Sequence, residues 1–268
     1  MKIISPSLLS ADFRNIAENI KEVEAAGANR LHLDVMDGHF VPALTFGPLI
    51  IKAVRECTHC HLETHLMIQD PHKSIDQYIN AGSDTIIIHL EASNNPLDEL
   101  SYIRKNNVCA GIAINPDTDE KLLKPLIEYL DYILIMSVFP GRGGQDFISS
   151  TLDKMKNIVD MRESRDITIA VDGGVNLETI SKVYETGIDV TIVGSGLFKA
   201  ENMLTTVLPP SFEVSTFAKL SNRFAYPAFI SIGLISSVDI KSPYALKLDL
   251  LIFIGLKIFS IILIFQKP

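Results

Sequence analysis

The chain has 268 residues, enough for one large α/β barrel or two small domains. Its formal charge of −8 comes without any block of like charge, which argues against nucleic acid as the main partner, because a phosphate backbone demands clustered Lys and Arg. Three cysteines make no paired framework, and the opening MKIISPSLLSADF lacks the long apolar run and cleavage site of a signal peptide, so a cytoplasmic protein handling small molecules is expected.

Short apolar runs alternate with segments of helical spacing from the start. They fall at 2–7, 30–36, 61–68, 84–89, 108–114, 132–138, 167–171 and 189–193. Between them lie stretches such as 14–26, and many of these stretches end at a Gly. Eight strand-helix units point to a TIM (β/α)8 barrel rather than an open doubly wound sheet. Strand parity agrees. In 30–36, His32, Asp34 and Met36 share one face and Leu31, Leu33 and Val35 the other, and in 61–68 the same split sets His61, Glu63, His65 and Met67 against Leu62, Thr64, Leu66 and Ile68. The apolar face suits the helices, so the polar face is expected to look into the barrel, where charges need partners or a metal.

The stretch CTHCHLETHLM, 57–67, carries two competing metal signals. Cys57-Thr58-His59-Cys60-His61 has the spacing of covalent haem attachment, but that chemistry normally requires export, and a zinc site at Cys57 and Cys60 lacks a second cysteine pair. Cys57, Cys60 and His61 are therefore assigned to the end of helix two and the start of strand three, with His61 an interior polar residue that has a hydrogen-bonding partner. His65 is the residue expected to carry chemistry.

The chain's end differs in composition. A last helix is predicted to begin near Lys199 and to stop at Pro209-Pro210, since proline lacks the amide donor, giving a barrel of residues 1–208 with a shortened final helix. Residues 209–268 form an atypical apolar extension. Within it 248–265 reads LDLLIFIGLKIFSIILIF, nearly the length of a bilayer span, yet Lys257 falls near its middle. A membrane anchor is the less favoured reading; packing on the barrel, or an unselected end, is the plainer one.

Four residues stand at strand ends on the catalytic side of such a barrel: His32, Asp34, His65 and Asp172. A single His-x-Asp is more often a hydrogen-bonded pair than a ligand set. Two imidazoles and two carboxylates from three strands, however, suit Zn2+, Fe2+, Mn2+ or Co2+. Glycines mark a second constellation at the same rim: Gly141, Gly143 and Gly144 flanking Arg142 after strand six, Gly173-Gly174 after strand seven, and Gly194-Ser195 after strand eight. Any one loop is explained by turn chemistry, but three together favour phosphate, which backbone amides can approach closely where no side chain intervenes.

The runs Ser5-Pro6-Ser7, His32-Leu33-Asp34-Val35-Met36-Asp37-Gly38-His39-Phe40-Val41-Pro42, His65-Leu66-Met67, Met136-Ser137-Val138, Gly143-Gly144-Gln145, Val171-Asp172-Gly173-Gly174-Val175 and Gly194-Ser195 closely resemble the ribulose-phosphate 3-epimerase family. The resemblance spans residues 1 to about 204. It implies interconversion of D-ribulose 5-phosphate and D-xylulose 5-phosphate, with His32, Asp34, His65 and Asp172 holding one divalent metal, zinc first. It further implies that Asp34 and Asp172 are the proton-transfer pair and that Ser7 and His65 contact substrate. Gly141, Arg142, Gly143, Gly144, Gly173, Gly174, Gly194 and Ser195 would line the substrate and phosphate pocket, Met36, Met67 and Met136 would pack near the reacting carbons, and a homo-oligomer is expected. First principles agree, since inverting a carbon beside a ketone needs a proton removed from one face and returned to the other. Phe139 and Arg142 depart from the family pattern, where a polar residue and an aromatic are usual, and so keep a six-carbon substrate such as allulose 6-phosphate open. The sugar-phosphate decarboxylases are set aside, because Met36 stands where their lysine belongs. An inactive, membrane-associated binding barrel is the alternative of a different class.

Overall fold

Each predicted run forms one strand of a single parallel sheet: β1 (Ile3–Pro6), β2 (Arg30–Met36), β3 (His61–Met67), β4 (Thr85–His89), β5 (Cys109–Ile114), β6 (Tyr132–Met136), β7 (Thr168–Asp172) and β8 (Val190–Val193). The structure is a computed structural model and describes residues 2–198. The predicted helix from Lys199, its stop at Pro209-Pro210, the boundary at 208 and the apolar segment 248–265 lie outside these residues.

From β2 to β8 every strand pairs with its neighbour in sequence, and β1 pairs with β8, which is the order of a TIM barrel. The seam between β1 and β2 is closed by one parallel bridge, Ser7 to His32. Helices α1 (Ile16–Ala25), α2 (Pro48–Cys57), α3 (Ile75–Asn80), α4 (Pro96–Lys105), α5 (Thr151–Arg162), α6 (Ile180–Glu185) and α7 (Ser195–Phe198) form the outer layer. Pro48 and Pro96 sit in the first turn of their helices, where the missing N–H costs nothing. After β5 the connection is a 3-10 helix, Glu120–Tyr129, and not an α-helix; Pro125 inside it has no amide to donate to an i−4 ladder. The last described helix opens at Ser195, ahead of the expected Lys199.

Two cores follow from strand parity. Between sheet and helices, Leu31, Leu33, Leu62, Leu66, Ile86 and Ile88 pack with Ile20, Val23, Ile51 and Val54 of α1 and α2. Each such side chain, taken fully out of water, contributes about 1.5–3 kcal/mol. Inside the barrel, Ile87, Ala113, Leu134, Ala170, Val190 and Ile192 fill one half. The other half holds Ser5, His32, Asp34, Glu63 and His65, all buried.

The cysteine-histidine stretch behaves as assigned. Cys57 is the last residue of α2, Cys60 lies in the loop, and His61 opens β3 with its Nε2 at 2.7 Å from Thr85 Oγ1. All three cysteines are free thiols. Among the described residues no helix is long and apolar enough to cross a membrane.

Candidate active site

Strand register assembles the site. Asp34 of β2 lies directly beside His65 of β3, Met136 of β6 beside Asp172 of β7, and the seam bridge sets Ser7 beside His32. Alternate residues of β2 face inward, so His32 and Asp34 project from the same face. His32, Asp34, His65 and Asp172 each offer one ligand atom, and the four atoms lie within 4.8 Å of one another. Met36 and Met67, one pleat further toward the rim, pack with Val41.

Charge and burial shape the four differently. Burial opposes a charged His32, but Asp34, Glu63 and Asp172 more than reverse this and lift its pKa to about 10. Burial dominates at His65 and lowers it to about 3. Burial pushes Asp34 toward its neutral form, yet His32 and His65 together hold it well below the usual carboxylate range. Asp172 is raised to about 7 by burial and by the negative charge of Asp34. The two carboxyls thus stand apart in proton affinity although they share one site.

The surroundings keep these groups in place. Ser7 Oγ donates to Asp34 Oδ2 at 2.6 Å. Thr45 Oγ1 donates to the Asp34 carbonyl at 2.7 Å and accepts from the Met36 amide at 2.9 Å. Ser137 Oγ donates to the carbonyls of Asp172 and Gly173 at 2.9 and 2.6 Å, fixing the turn that follows β7. In that turn a Cβ on Gly173 would come within 2.4 Å of Val138, and one on Gly174 within 2.5 Å of the Phe147 amide; both residues have positive φ, so only glycine fits.

A cleft of about 350 Å³ opens above the carboxylates. Its lining includes Ser7, Asp34, Asp172, Met36, Met67 and Met136, together with Gly141, Arg142, Gly143, Gly144, Gly173, Gly174, Gly194 and Ser195. Every glycine-loop position named from the sequence is therefore at the cleft. His32 and His65 are not in its lining; both are fully buried. The loop after β6 is held by Gln145 Nε2, which donates to the carbonyls of Phe139 and Arg142, both at 2.7 Å.

Several supporting residues were not singled out from the sequence. Glu63 accepts from Ser5 Oγ at 2.7 Å and from Arg30, and lies 3.5 Å from His32 Nδ1. His89 and Glu91 lie behind His65. His89-x-Glu91, at and just past the end of β4, repeats the spacing of His32-x-Asp34 within β2, and that repeat was the available signal.

The donor set fits a cation. His32 Nε2 is 3.4 Å from both His65 Nδ1 and Asp34 Oδ1, and His65 Nδ1 is 3.2 Å from Asp34 Oδ1, so two ring nitrogens and a carboxylate oxygen converge on one buried point. Mixed nitrogen and oxygen donors of this kind suit a divalent first-row metal.

Residues 3–198 match the model of the ribulose-phosphate 3 epimerase family. The chain belongs to that family. Ribulose-phosphate 3-epimerase of Bacillus subtilis (strain 168) is 42% identical over 198 residues, covering 73% of this chain and 91% of its own. The enzyme of the same name from a Synechocystis species is 42% identical over 204 residues, with 75% and 89% covered. The chloroplastic ribulose-5-phosphate-3-epimerase of Arabidopsis thaliana is 38% identical over 204 residues, with 75% and 73% covered. Among solved structures, a 3-hexulose-6-phosphate synthase superposes with a TM-score of 0.56 at 15% identity, covering 77% of this chain and 96% of that one, a likeness of fold alone. The family assignment makes this barrel an isomerase scaffold and leaves its substrate and metal to be argued from the cleft.

Proposed function

We propose that the chain is a metal-dependent 3-epimerase that interconverts D-ribulose 5-phosphate and D-xylulose 5-phosphate through an enediolate. The observation that carries this reading is the pair Asp34 and Asp172, which border one cleft with proton affinities displaced in opposite directions. A charged carboxylate and a carboxyl that keeps its proton up to about pH 7 form the acid/base couple that inversion of a carbon beside a ketone requires. Asp34 takes the proton from carbon 3 on one face, and Asp172 returns one to the other. In the reverse direction the roles exchange, so neither residue is acid or base in an absolute sense.

Ser7 holds Asp34 in position through its hydrogen bond, leaving Asp34 Oδ1 toward the two histidines. Met36, Met67 and Met136 supply an apolar wall that limits water around the reacting carbons. Backbone amides at Gly173, Gly174, Gly194 and Ser195 grip the phosphate, with Gly141, Gly143 and Gly144 and the Arg142 guanidinium closing the mouth. His32, Asp34, His65 and Asp172 would hold the divalent ion, zinc in the first instance and Fe2+, Mn2+ or Co2+ in its place. When bound, that ion supplies Lewis-acid stabilisation of the negative charge that develops on the substrate oxygens. A cytoplasmic homo-oligomer acting on a sugar phosphate completes the proposal.

Phe139 and Arg142 at the mouth favour one further reading, a six-carbon ketose phosphate such as allulose 6-phosphate. The test is initial-rate conversion of both sugars by purified protein, before chelation, after it and with metal restored. Turnover of the five-carbon sugar that is lost and regained with metal supports the reading. Preference for the six-carbon sugar moves the substrate, and no turnover of either by folded protein overturns the assignment in favour of an inactive binding barrel.

A further inference from the structure

His65 is one of two imidazoles at the proposed metal site, and its second ring nitrogen faces away from that site. His65 Nε2 lies 2.9 Å from His89 Nε2, and His89 Nδ1 lies 2.9 Å from Glu91 Oε2. The two rings stack at 4.9 Å with 26° between their planes, and Phe40 packs against His89 at 4.9 Å. Both histidines are fully buried, whereas the Glu91 side chain is 22% exposed at the rim. The chain of contacts thus runs from the centre of the site to the surface.

Hydrogen-bond inventory fixes its direction. The Glu91 carboxylate is surrounded by donors: Oε1 accepts from the Asn115 amide at 2.7 Å and from Thr118 Oγ1, and Oε2 faces His89 Nδ1. An ionised carboxylate only accepts, so His89 must carry its proton on Nδ1. The Nε2 of a neutral His89 is then an acceptor and takes the proton of His65 Nε2. His65 Nδ1 is left as a lone pair aimed at Asp34 Oδ1 and His32 Nε2. With its proton on Nε2, His65 donates nothing to Asp34 Oδ1 at 3.2 Å, and a cation bound between these two atoms satisfies both.

We infer that His89 and Glu91 are positioning residues that act through His65, locking its tautomer so that Nδ1 presents a lone pair to a divalent cation. This rests on the cation reading above. It makes an asymmetric demand on Glu91 that a mere packing role would not. In Glu91→Gln the shape is kept but only one oxygen remains. Two donors, Asn115 N–H and Thr118 O–H, compete for it against one from His89, so the amide NH2 group turns to His89. His89 then protonates on Nε2, His65 accepts at Nε2, and its proton moves to Nδ1, where it blocks the cation.

The experiment uses the full chain labelled with 15N at histidine. Ring-nitrogen shifts read the tautomers of His65 and His89, and competition with a chromophoric chelator reads zinc affinity. The expected wild-type pattern is a proton on His89 Nδ1 and His65 Nε2, with His65 Nδ1 bare. Glu91→Gln is expected to reverse both tautomers and to weaken zinc binding 10- to 100-fold, the range found when outer partners of a metal ligand are removed. A doubly protonated His89 with a proton on His65 Nδ1 in the wild type overturns the inference, as does a Glu91→Gln protein with wild-type tautomers and affinity. Should the variant not fold, the wild-type shifts alone decide. If wild-type protein takes up no zinc, the cation reading fails, while the tautomers of the same sample still decide the relay.

Discussion

The two halves of the barrel interior are built on the same backbone from opposite materials. From β4 to β8 the inward positions include Ile87, Ala113, Leu134, Ala170, Val190 and Ile192, a packed apolar fill of the kind that stabilises any barrel of this size, and only at the strand ends do His89 and Asp172 join the polar groups. From β1 to β3 they are Ser5, His32, Asp34, Glu63 and His65, tied to one another and to Arg30. Charges there cost desolvation energy that their mutual attraction only partly offsets. The apolar half is a packed core and the polar half carries the groups of the proposed site, and each should respond to mutation in its own way.

The largest expected effect is on turnover. Asp172→Asn should lower kcat for epimerisation about 10²- to 10⁴-fold, the usual worth of a positioned acid or base, in protein that still folds. A fall in kcat below tenfold, measured on folded protein, would remove Asp172 from the proposed proton-transfer pair. Next comes a loss of stability from the polar half. Glu63→Leu leaves Arg30 buried without its carboxylate and should cost about 3–5 kcal/mol in urea unfolding, while adding Arg30→Met should restore most of it, since an isosteric apolar pair avoids the desolvation. If the double variant is no more stable than the single one, the pair is not what holds this half.

In the apolar half, Leu134→Ala should cost about 2–5 kcal/mol by leaving a cavity, with kcat for the proposed reaction within about twofold of wild type. A selective collapse of kcat would show that the two halves are not separable. The last effect is a pH dependence of the metal-free protein. The folded-state pKa of Asp172 is raised to about 7, above its ordinary value of 3.8, so the folded chain binds the proton more tightly than the unfolded one. Its contribution is full below pH 3.8 and is lost as pH rises through 7. Metal-free protein should lose that increment over this window, and Asp172→Asn should flatten this part of the curve. Equal slopes of unfolding free energy against pH for wild type and variant, taken from urea titrations across this window, would contradict the assignment.

Much of this was legible from the chain itself. Period-two alternation in His32-Leu33-Asp34 and Glu63-Thr64-His65 sorted inward from outward residues because a strand has only two faces. Glycine loops at Gly141, Gly173 and Gly194 announced the rim, since repeated glycine after successive strands marks where backbone must come close. The 3-10 helix at Glu120–Tyr129 was written in Pro125 but was passed over among helical spacings. His89, Glu91, Thr45 and Ser137 were not found, because each is an ordinary polar residue until its partner is known.

What the sequence determined alone was the number of strands, the face of each residue and the glycine positions, all of which depend on neighbours a few residues apart. The tertiary structure decided which strand ends meet. Asp34 reaches Asp172 across 138 positions of chain only because the sheet closes, through the bridge from Ser7 to His32. Closure also buries the four groups together, and burial with mutual charge is what separates the proton affinities of two otherwise equivalent aspartates.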